Sequence, residues 1–400
     1  MPDLECENQA VASSLKQIID LAEQNGAYLD SRLIFVQEGD SLSVRVRGRN
    51  TPRSKLIVMP ETCLVPIEEF QLSLQGADLV IEGVDKDVSP LQKRFAELML
   101  EVYNQTGKIG HFIRTHPKIR LRLESKIQRE LARFGKIKIE DENLDGERSD
   151  SELIAHFFQT RKLELKDRND PRKSRKVVMP LIDYANHNTA SPGFIRTETS
   201  EGIDALGLLH STSIEGSKEC TVSYGDLDLF DTFWNYGFLD DYSPASFVRA
   251  APCELLLKGF DNVAVNSIPG AVYKGTLAKR NVDLKKWVPS FGRNDEGVMR
   301  VGHLKIPCNH SWRALRRVLR MILRNMNPEM KMDRVQARVL VAEHQVISST
   351  VEHFRGLRSA ATNPVCSDTD HQALSELVAL CDLQLERLDR YQNHHELNVL

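Results

Sequence analysis

Apolar residues Leu15, Ile18, Ile19 and Ala22 recur at helical spacing between Ala10 and Ala27, which predicts a short amphipathic helix near the start of the chain. From Arg32 to Val65 the pattern alternates, in Leu33-Ile34-Phe35-Val36, Leu42-Ser43-Val44-Arg45-Val46 and Leu56-Ile57-Val58 with turn residues between them, and a small β-meander is expected there. After Pro90 the helical period returns. Leu91, Phe95, Leu98, Met99 and Val102 share one face of a helix that should end near Gly107. A basic, polar helix is predicted from Lys118 to Phe134, and another from Leu153 to Leu165, with Ile154, Phe157, Phe158 and Arg161 on neighbouring turns. Strands are expected again at Val177 to Ile182 and Cys220 to Val222. Leu255 to Ile306 shows no period that places its elements. Three amphipathic patterns then close the chain: Trp312, Leu315, Val318, Leu319 and Ile322; Met332, Val335, Val339, Ala342 and Val346; and Leu374, Leu377, Cys381, Leu385 and Leu388. They predict an α-helical lobe.

Length and composition add the outer limits. A chain of 400 residues that is 41% hydrophobic can bury more than one core, and at roughly 150 residues per domain two or three units are expected. The formal net charge of −3 supplies no global attraction for nucleic acid. No apolar run approaches the ~18 residues of a membrane span, and Met1 to Asn25 lacks the basic start and apolar stretch of a signal peptide. The expectation is a soluble, cytoplasmic protein. Its seven cysteines are dispersed without a Cys-x-x-Cys pair, so no metal site is expected. The acidic segment Glu140 to Glu147 and the basic run Arg172 to Lys176 read as solvated loops, with contact to a protein substrate as the alternative.

Candidate chemistry concentrates in two islands. One is Pro180-Leu181-Ile182-Asp183-Tyr184-Ala185-Asn186-His187-Asn188; the other is Val222-Ser223-Tyr224-Gly225, followed by Tyr236-Gly237-Phe238. Each sets amide, imidazole or phenol groups beside turn residues in an apolar context, where a chain builds a polar site. Methyl transfer from a sulfonium to an amine needs donor and acceptor aligned, oxygens around the polarised methyl group, and a neutral amine. Tyr224 and Tyr236 offer rigidly held phenolic oxygens. A lysine acceptor, with a solution pKa of about 10.4, is kept neutral by an apolar, aromatic channel. Phe157, Phe158, Phe230, Phe233, Trp234 and Phe238 are candidate walls.

In their order and spacing, these islands resemble the catalytic half of SET-domain methyltransferases, closest to the branch of the Rubisco large-subunit lysine methyltransferase. That resemblance implies an α+β protein: a SET domain over about residues 1–250, split by a helical insertion at about 88–165, and a mainly α-helical lobe over 251–400 on which a protein substrate docks. It implies S-adenosylmethionine as cofactor, with Asn186 at its amino-acid end and His187 on its adenine side. Tyr224 maps onto the catalytic tyrosine and Tyr236 onto a second aromatic lining the lysine channel with Phe157, Phe233 and Phe238. Thr160-Arg161 takes the place of the family's small residue and arginine at the cofactor and substrate face, although an Arg161 pair with Glu164 on the surface is the competing reading.

The chain also departs from that pattern. The family's Gly-x-Gly turn falls on Gly39-Asp40-Ser41, and serine serves a positive-φ position only at a cost. An asparagine common five residues after the catalytic tyrosine is Leu229 here. Two alternatives follow: a SET-derived module that binds a partner with little or no transferase activity, and a histidine methyltransferase. Leu163, where histidine-modifying relatives often carry a polar residue, favours lysine.

Overall fold

A computed structural model describes residues 2–48, 54–121, 149–166, 170, 173–189, 191–210, 219–239, 247–260, 263–265, 287–293, 298–308, 311–362 and 371–395. The protein is α+β and divides into two compact units. The first comprises Met1–Ile119 and Glu147–Leu227; the second comprises Arg120–Gly146 and Asp228–Leu400. The division at Leu227/Asp228 comes earlier than the expected boundary near 250, so the Tyr236 turn belongs to the second unit.

In the first unit, helix α1 (Gln9–Gln24) buries Val11, Leu15, Ile18, Ile19 and Ala22 along one stripe, and the Asn8 side chain caps it by accepting from the Ala10 N–H. Strand β1 (Asp3–Cys6) runs parallel to β3 (Leu33–Glu38), which forms a hairpin with β4 (Ser41–Val46). The expected meander ends there. Strand β5 (Lys55–Pro60) does not continue that sheet but pairs with β2 (Tyr28–Leu29) and β11 (Asp204–Leu209), and β10 (Ile195–Glu198) extends β11. The burial pattern gives the reason: Leu56 to Pro60 are all buried, as in a strand covered on both faces, whereas β4 alternates. A hairpin of β6 (Phe70–Gln75) and β7 (Asp78–Val84), which the sequence reading did not place, precedes the helices.

Helix α2 (Pro90–Gln105) starts on a capping box between Ser89 and Gln92 with Pro90 in its first turn, and it buries Phe95, Leu98, Met99, Val102 and Tyr103. Gly107, at φ 63°, turns the chain into α3 (Lys108–Thr115). Short helix α4 (Pro117–Arg120) follows, and the rest of the helix expected up to Phe134 lies outside the described residues, as does the acidic segment Glu140 to Glu147. Helix α5 (Asp150–Gln159) stops earlier than predicted. The Thr160 hydroxyl donates to the Phe157 carbonyl at the helix end, and Leu163 onward forms β8 (Leu163–Lys166), antiparallel to β9 (Ser174–Val177). The strand expected over Val177 to Ile182 therefore ends at Val177, and Ile182–Tyr184 is a 3₁₀ turn. Cys220 to Val222 is not a strand: Val222 makes an isolated bridge to His187, and Glu219 just before this stretch makes another to Arg45.

The second unit contains short strands and a helical lobe. Strands β12 (Phe247–Arg249) and β17 (Lys305–Pro307) pair with each other. Strands β13 (Cys253–Leu255), β14 (Val263–Val265), β16 (Met299–Val301) and β15 (Phe291–Arg293) make a four-stranded sheet in that order, within the stretch whose elements the sequence left unplaced. Helices α6 (Ala314–Met326), α7 (Met332–Thr362) and α8 (His371–His395) follow the three predicted patterns. Among the described residues, no helix is long and apolar enough to cross a membrane.

Candidate active site

In the first unit the two islands lie side by side. His187 and Val222 form a parallel bridge; the Val222 N–H donates to the Asn186 carbonyl at 2.9 Å, and the Asn188 N–H donates to the Val222 carbonyl at 3.1 Å. The Ser191 and Thr221 hydroxyls meet at 2.6 Å, and the Ser223 N–H donates to the Pro192 carbonyl at 3.0 Å. Segments distant in sequence are thus held as one polar backbone ladder. Upon it the Tyr224 N–H donates to His187 Nδ1 at 3.1 Å, and the Tyr224 hydroxyl donates to the Ala185 carbonyl at 3.0 Å. Because Nδ1 accepts, the His187 proton sits on Nε2, 3.2 Å from the Thr189 hydroxyl, and the imidazole is neutral. The His187 and Tyr224 rings lie 5.0 Å apart.

The turn before these residues is strained. Leu181 has φ 64° and ψ −40°, and the Ile182 N–H donates to the Pro180 carbonyl at 2.7 Å: a tight three-residue turn with a buried leucine at its centre. It delivers Asp183, whose carboxylate accepts from Arg161 Nη1 at 2.9 Å and from the Tyr103 hydroxyl at 2.7 Å. The Arg161 guanidinium also lies 4.5 Å from the centre of the Phe157 ring and 5.2 Å from that of Tyr103. Burial disfavours the Arg161 charge, but Asp183 more than restores it and the pKa is raised. Burial pushes the Tyr103 and Tyr184 phenols well up, with the Asp183 charge adding to it, so both stay protonated. At the start of α3, burial and the Arg161 charge push the half-buried Lys108 ammonium down to about 8, against the pull of Asp183 and Asp40.

Gly39 and Asp40 form the tip of the β3–β4 hairpin. Gly39 has φ 59°, which requires glycine, and its N–H donates to Glu7 at 2.7 Å. Ser41 is the exposed first residue of β4, opposite Glu38, with no positive φ. The strain expected for a serine there is absent, because the sharp turn is completed before it. The Asp40 carboxylate pairs with His111 of α3. Asn186 is exposed, and its amide donates to Glu219 at 2.7 Å. Arg161 turns inward to Asp183 rather than pairing with Glu164. Phe157 is fully buried, edge-on to Tyr103, Phe112 and Phe158, so its ring is packed core under Arg161 rather than an open wall.

In the second unit, Asp228 caps the helical turn Leu229–Asp231, which widens into the π-turn Thr232–Tyr236 and ends at Gly237 with φ 81°. The Asp228 carboxylate accepts from the N–H groups of Asp231 and Arg249, both at 2.9 Å, and the Arg249 guanidinium pairs with Asp231. Burial, and then the Asp231 charge, push Asp228 up to about 6. This network fixes the turn that carries Phe233, packed in the core at 1% exposure, and the partly buried Tyr236, whose ring meets that of Phe238 edge-on at 6.4 Å. Burial and Asp231 push the Tyr236 phenol up to about 12, so it stays protonated at neutral pH.

The structure therefore assembles Asn186, His187 and Tyr224 at one place and gives Arg161 an aspartate partner in the same unit, while Tyr236, Phe233 and Phe238 belong to the other unit. Sequence reading missed Tyr103, Lys108 and Glu219. Only Tyr103 left a signal, as a phenol on the otherwise apolar face of α2.

No family model matches the sequence, and no curated protein matches it significantly. Solved structures similar to this chain include the SET domain of LSMT bound to lysine and AdoHcy, at 11% identity and a TM-score of 0.40, covering 96% of this chain and 91% of that one. Two more are the SET domain of LSMT bound to MeLysine and AdoHcy, at 10% identity, TM-score 0.38 and 96% coverage of each chain, and Rubisco LSMT bound to sinefungin and monomethyllysine, at 10% identity and TM-score 0.37, covering 97% of this chain and 93% of that one.

Proposed function

We propose that this chain is a SET-type methyltransferase that uses S-adenosylmethionine to methylate a lysine side chain of a protein substrate. The observation that carries the reading is the seating of Tyr224 on the Asn186-His187 segment through its N–H and its hydroxyl. The chemistry of the surrounding groups fits the cofactor: an exposed asparagine amide at Asn186, a neutral imidazole at His187, a glycine turn at Gly39, and a buried Arg161 Nε that has no acceptor. Asn186, His187, Arg161 and the Gly39-Asp40-Ser41 hairpin would hold it. When bound, it supplies an electrophilic methyl group.

The chain's own residues do the rest. The Tyr224 hydrogen is committed to the Ala185 carbonyl, so the phenolic oxygen faces a substrate amine as an acceptor and orients it. In the second unit, the Tyr236 phenol is held protonated at neutral pH and so carries no charge of its own. The substrate protein is assigned to the helical lobe of α6, α7 and α8.

The test is calorimetric titration with S-adenosylmethionine, run on the wild-type protein and on Asn186→Ala. Asn186 is exposed, so the variant should fold. Saturable one-site binding that is lost in the variant supports the reading, and methyl-labelled cofactor then identifies the modified side chain as lysine or histidine. No binding to the folded wild-type protein would overturn it in favour of a partner-binding module without transferase activity, a reading to which the Asn186–Glu219 bond lends itself.

A further inference from the structure

Helix α6 is arranged against its own electrostatics. Its core face consists of Ala314, Leu315, Val318, Leu319, Ile322 and Leu323, all buried. At 3.6 residues per turn, Arg313, Arg316, Arg317, Arg320 and Arg324 fall within an arc of about 100° on the opposite side. No acidic residue occurs between Arg313 and Met326. Arginines three and four apart repel one another. Arg313 stands at the N-cap, followed by Arg316 and Arg317, where the positive end of the helix disfavours cations, and the first turn contains no acidic residue to offset them.

Packing explains only part of this stripe. Arg316 donates to both carboxylate oxygens of Glu343, at 2.9 and 2.7 Å, and neutralises a fully buried charge. Arg320 donates to Gln336 at 2.6 Å, and Arg324 reaches the Met332 sulfur at 3.3 Å. Arg313 and Arg317 are exposed and, among the described residues, neither side chain has an ion pair or hydrogen bond. Two uncompensated cations at the wrong end of a helix break the local rules without a structural return, which is where a sequence is serving something outside the fold.

We infer that the stripe on α6, centred on Arg313, Arg317 and Arg324, is a docking surface for an acidic segment of the protein substrate; the word substrate rests on the methyltransferase reading above. Guanidinium groups bind carboxylates through paired N–H donors, a match that lysine lacks. Arg313 to Arg324 spans about 16 Å of one helix, suited to a short run of carboxylates. A nucleic acid, with its extended phosphate field, would meet the rest of a chain whose net charge is −3.

Fluorescence anisotropy tests this on the full chain at physiological salt, with a labelled peptide of alternating glutamate and serine and a labelled oligothymidine. The expected result is saturable peptide binding by the wild type, weakened about tenfold or more in Arg313→Ala/Arg317→Ala. The charge-matched control Arg334→Ala/Arg355→Ala, on exposed positions of α7, should bind within about twofold of wild type. Absent peptide binding, equal binding by the Arg313→Ala/Arg317→Ala variant, or tighter binding of oligothymidine through the same two arginines would each overturn the proposal. The calorimetric titration is independent of these arms. Peptide binding without S-adenosylmethionine binding would sink the catalytic reading and keep the docking surface; the converse would sink the docking surface alone.

Discussion

The backbone N–H of Tyr224 donates to Nδ1 of His187 across 3.1 Å, so a residue of one island fixes the tautomer of a residue in the other. The Tyr224 phenol is tied to the same segment at Ala185. Under the proposed reaction, Tyr224→Phe removes the oxygen that orients the amine while leaving this N–H bond intact. Turnover should fall on the order of 10²-fold, with the dissociation constant for S-adenosylmethionine within a factor of about two. Single-turnover kinetics beside calorimetry would separate the two quantities. Full activity in the variant would remove Tyr224 from the chemistry.

Phe157 separates a packing role from a channel role. The ring is fully buried among Tyr103, Phe112 and Phe158 and lies beneath Arg161. Phe157→Ala should therefore destabilise the protein by about 3–5 kcal/mol through lost burial and a cavity. Chemical denaturation would measure it. A variant of native stability with only a raised KM would mean that the ring lines a channel.

Glu343 is fully buried and accepts from Arg316 and from the Tyr391 hydroxyl. Arg316→Met should cost about 3 kcal/mol or more, because it leaves a buried carboxylate uncompensated, whereas Arg316→Met combined with Glu343→Leu should recover most of that loss. Denaturant midpoints of the two variants decide the matter. Equal destabilisation by both would show that the pair contributes net stability rather than balancing a buried charge.

Asp228 gives the second unit a pH dependence of defined sign. Its folded pKa, about 6, lies above the ordinary carboxylate value of 3.8 because of burial and the Asp231 charge, while Arg249 opposes the shift. The folded state therefore holds the proton more tightly, so the contribution is fully present below about pH 3.8 and is lost as pH rises through 6. Asp228→Asn cannot titrate. The melting temperature of the wild type minus that of this variant should fall between pH 4 and pH 7, and a flat difference would sink the assignment.

Much of the fold was legible because burial imposes a period on the sequence. The apolar stripes of α1, α2, α6, α7 and α8 recur at the helical repeat that α-geometry requires, and the α2 boundaries at Pro90 and Gly107 follow from the first-turn preference of proline and from positive φ. Where a strand is buried on both faces the period disappears, so β5 read as the third strand of a meander while its partners were β2 and β11. Helix α5 failed differently: Ile154, Phe157, Phe158 and Arg161 satisfy a helical pattern, but Leu163, within the same expected helix, lies across from Val177 in β8 and β9. Ser41 looked costly by analogy with a glycine, and only the backbone shows that Gly39 alone takes the positive φ.

For the candidate site, the sequence by itself determined the chemical inventory: an amide at Asn186, an imidazole at His187, phenols at Tyr224 and Tyr236, and a guanidinium at Arg161. Those identities are local, and motif spacing is a local property. The tertiary structure decided which groups meet. It seated Tyr224 on His187 and Ala185, turned Arg161 to Asp183 and Tyr103 instead of Glu164, committed Asn186 to Glu219, and drew Phe157 into the core. Each of these joins groups far apart along the chain, and for Arg161, Asp183 and Tyr103 the pairing was chosen because a buried polar group must find its partner somewhere in the whole fold. A one-dimensional pattern records which groups need partners; three-dimensional packing assigns them.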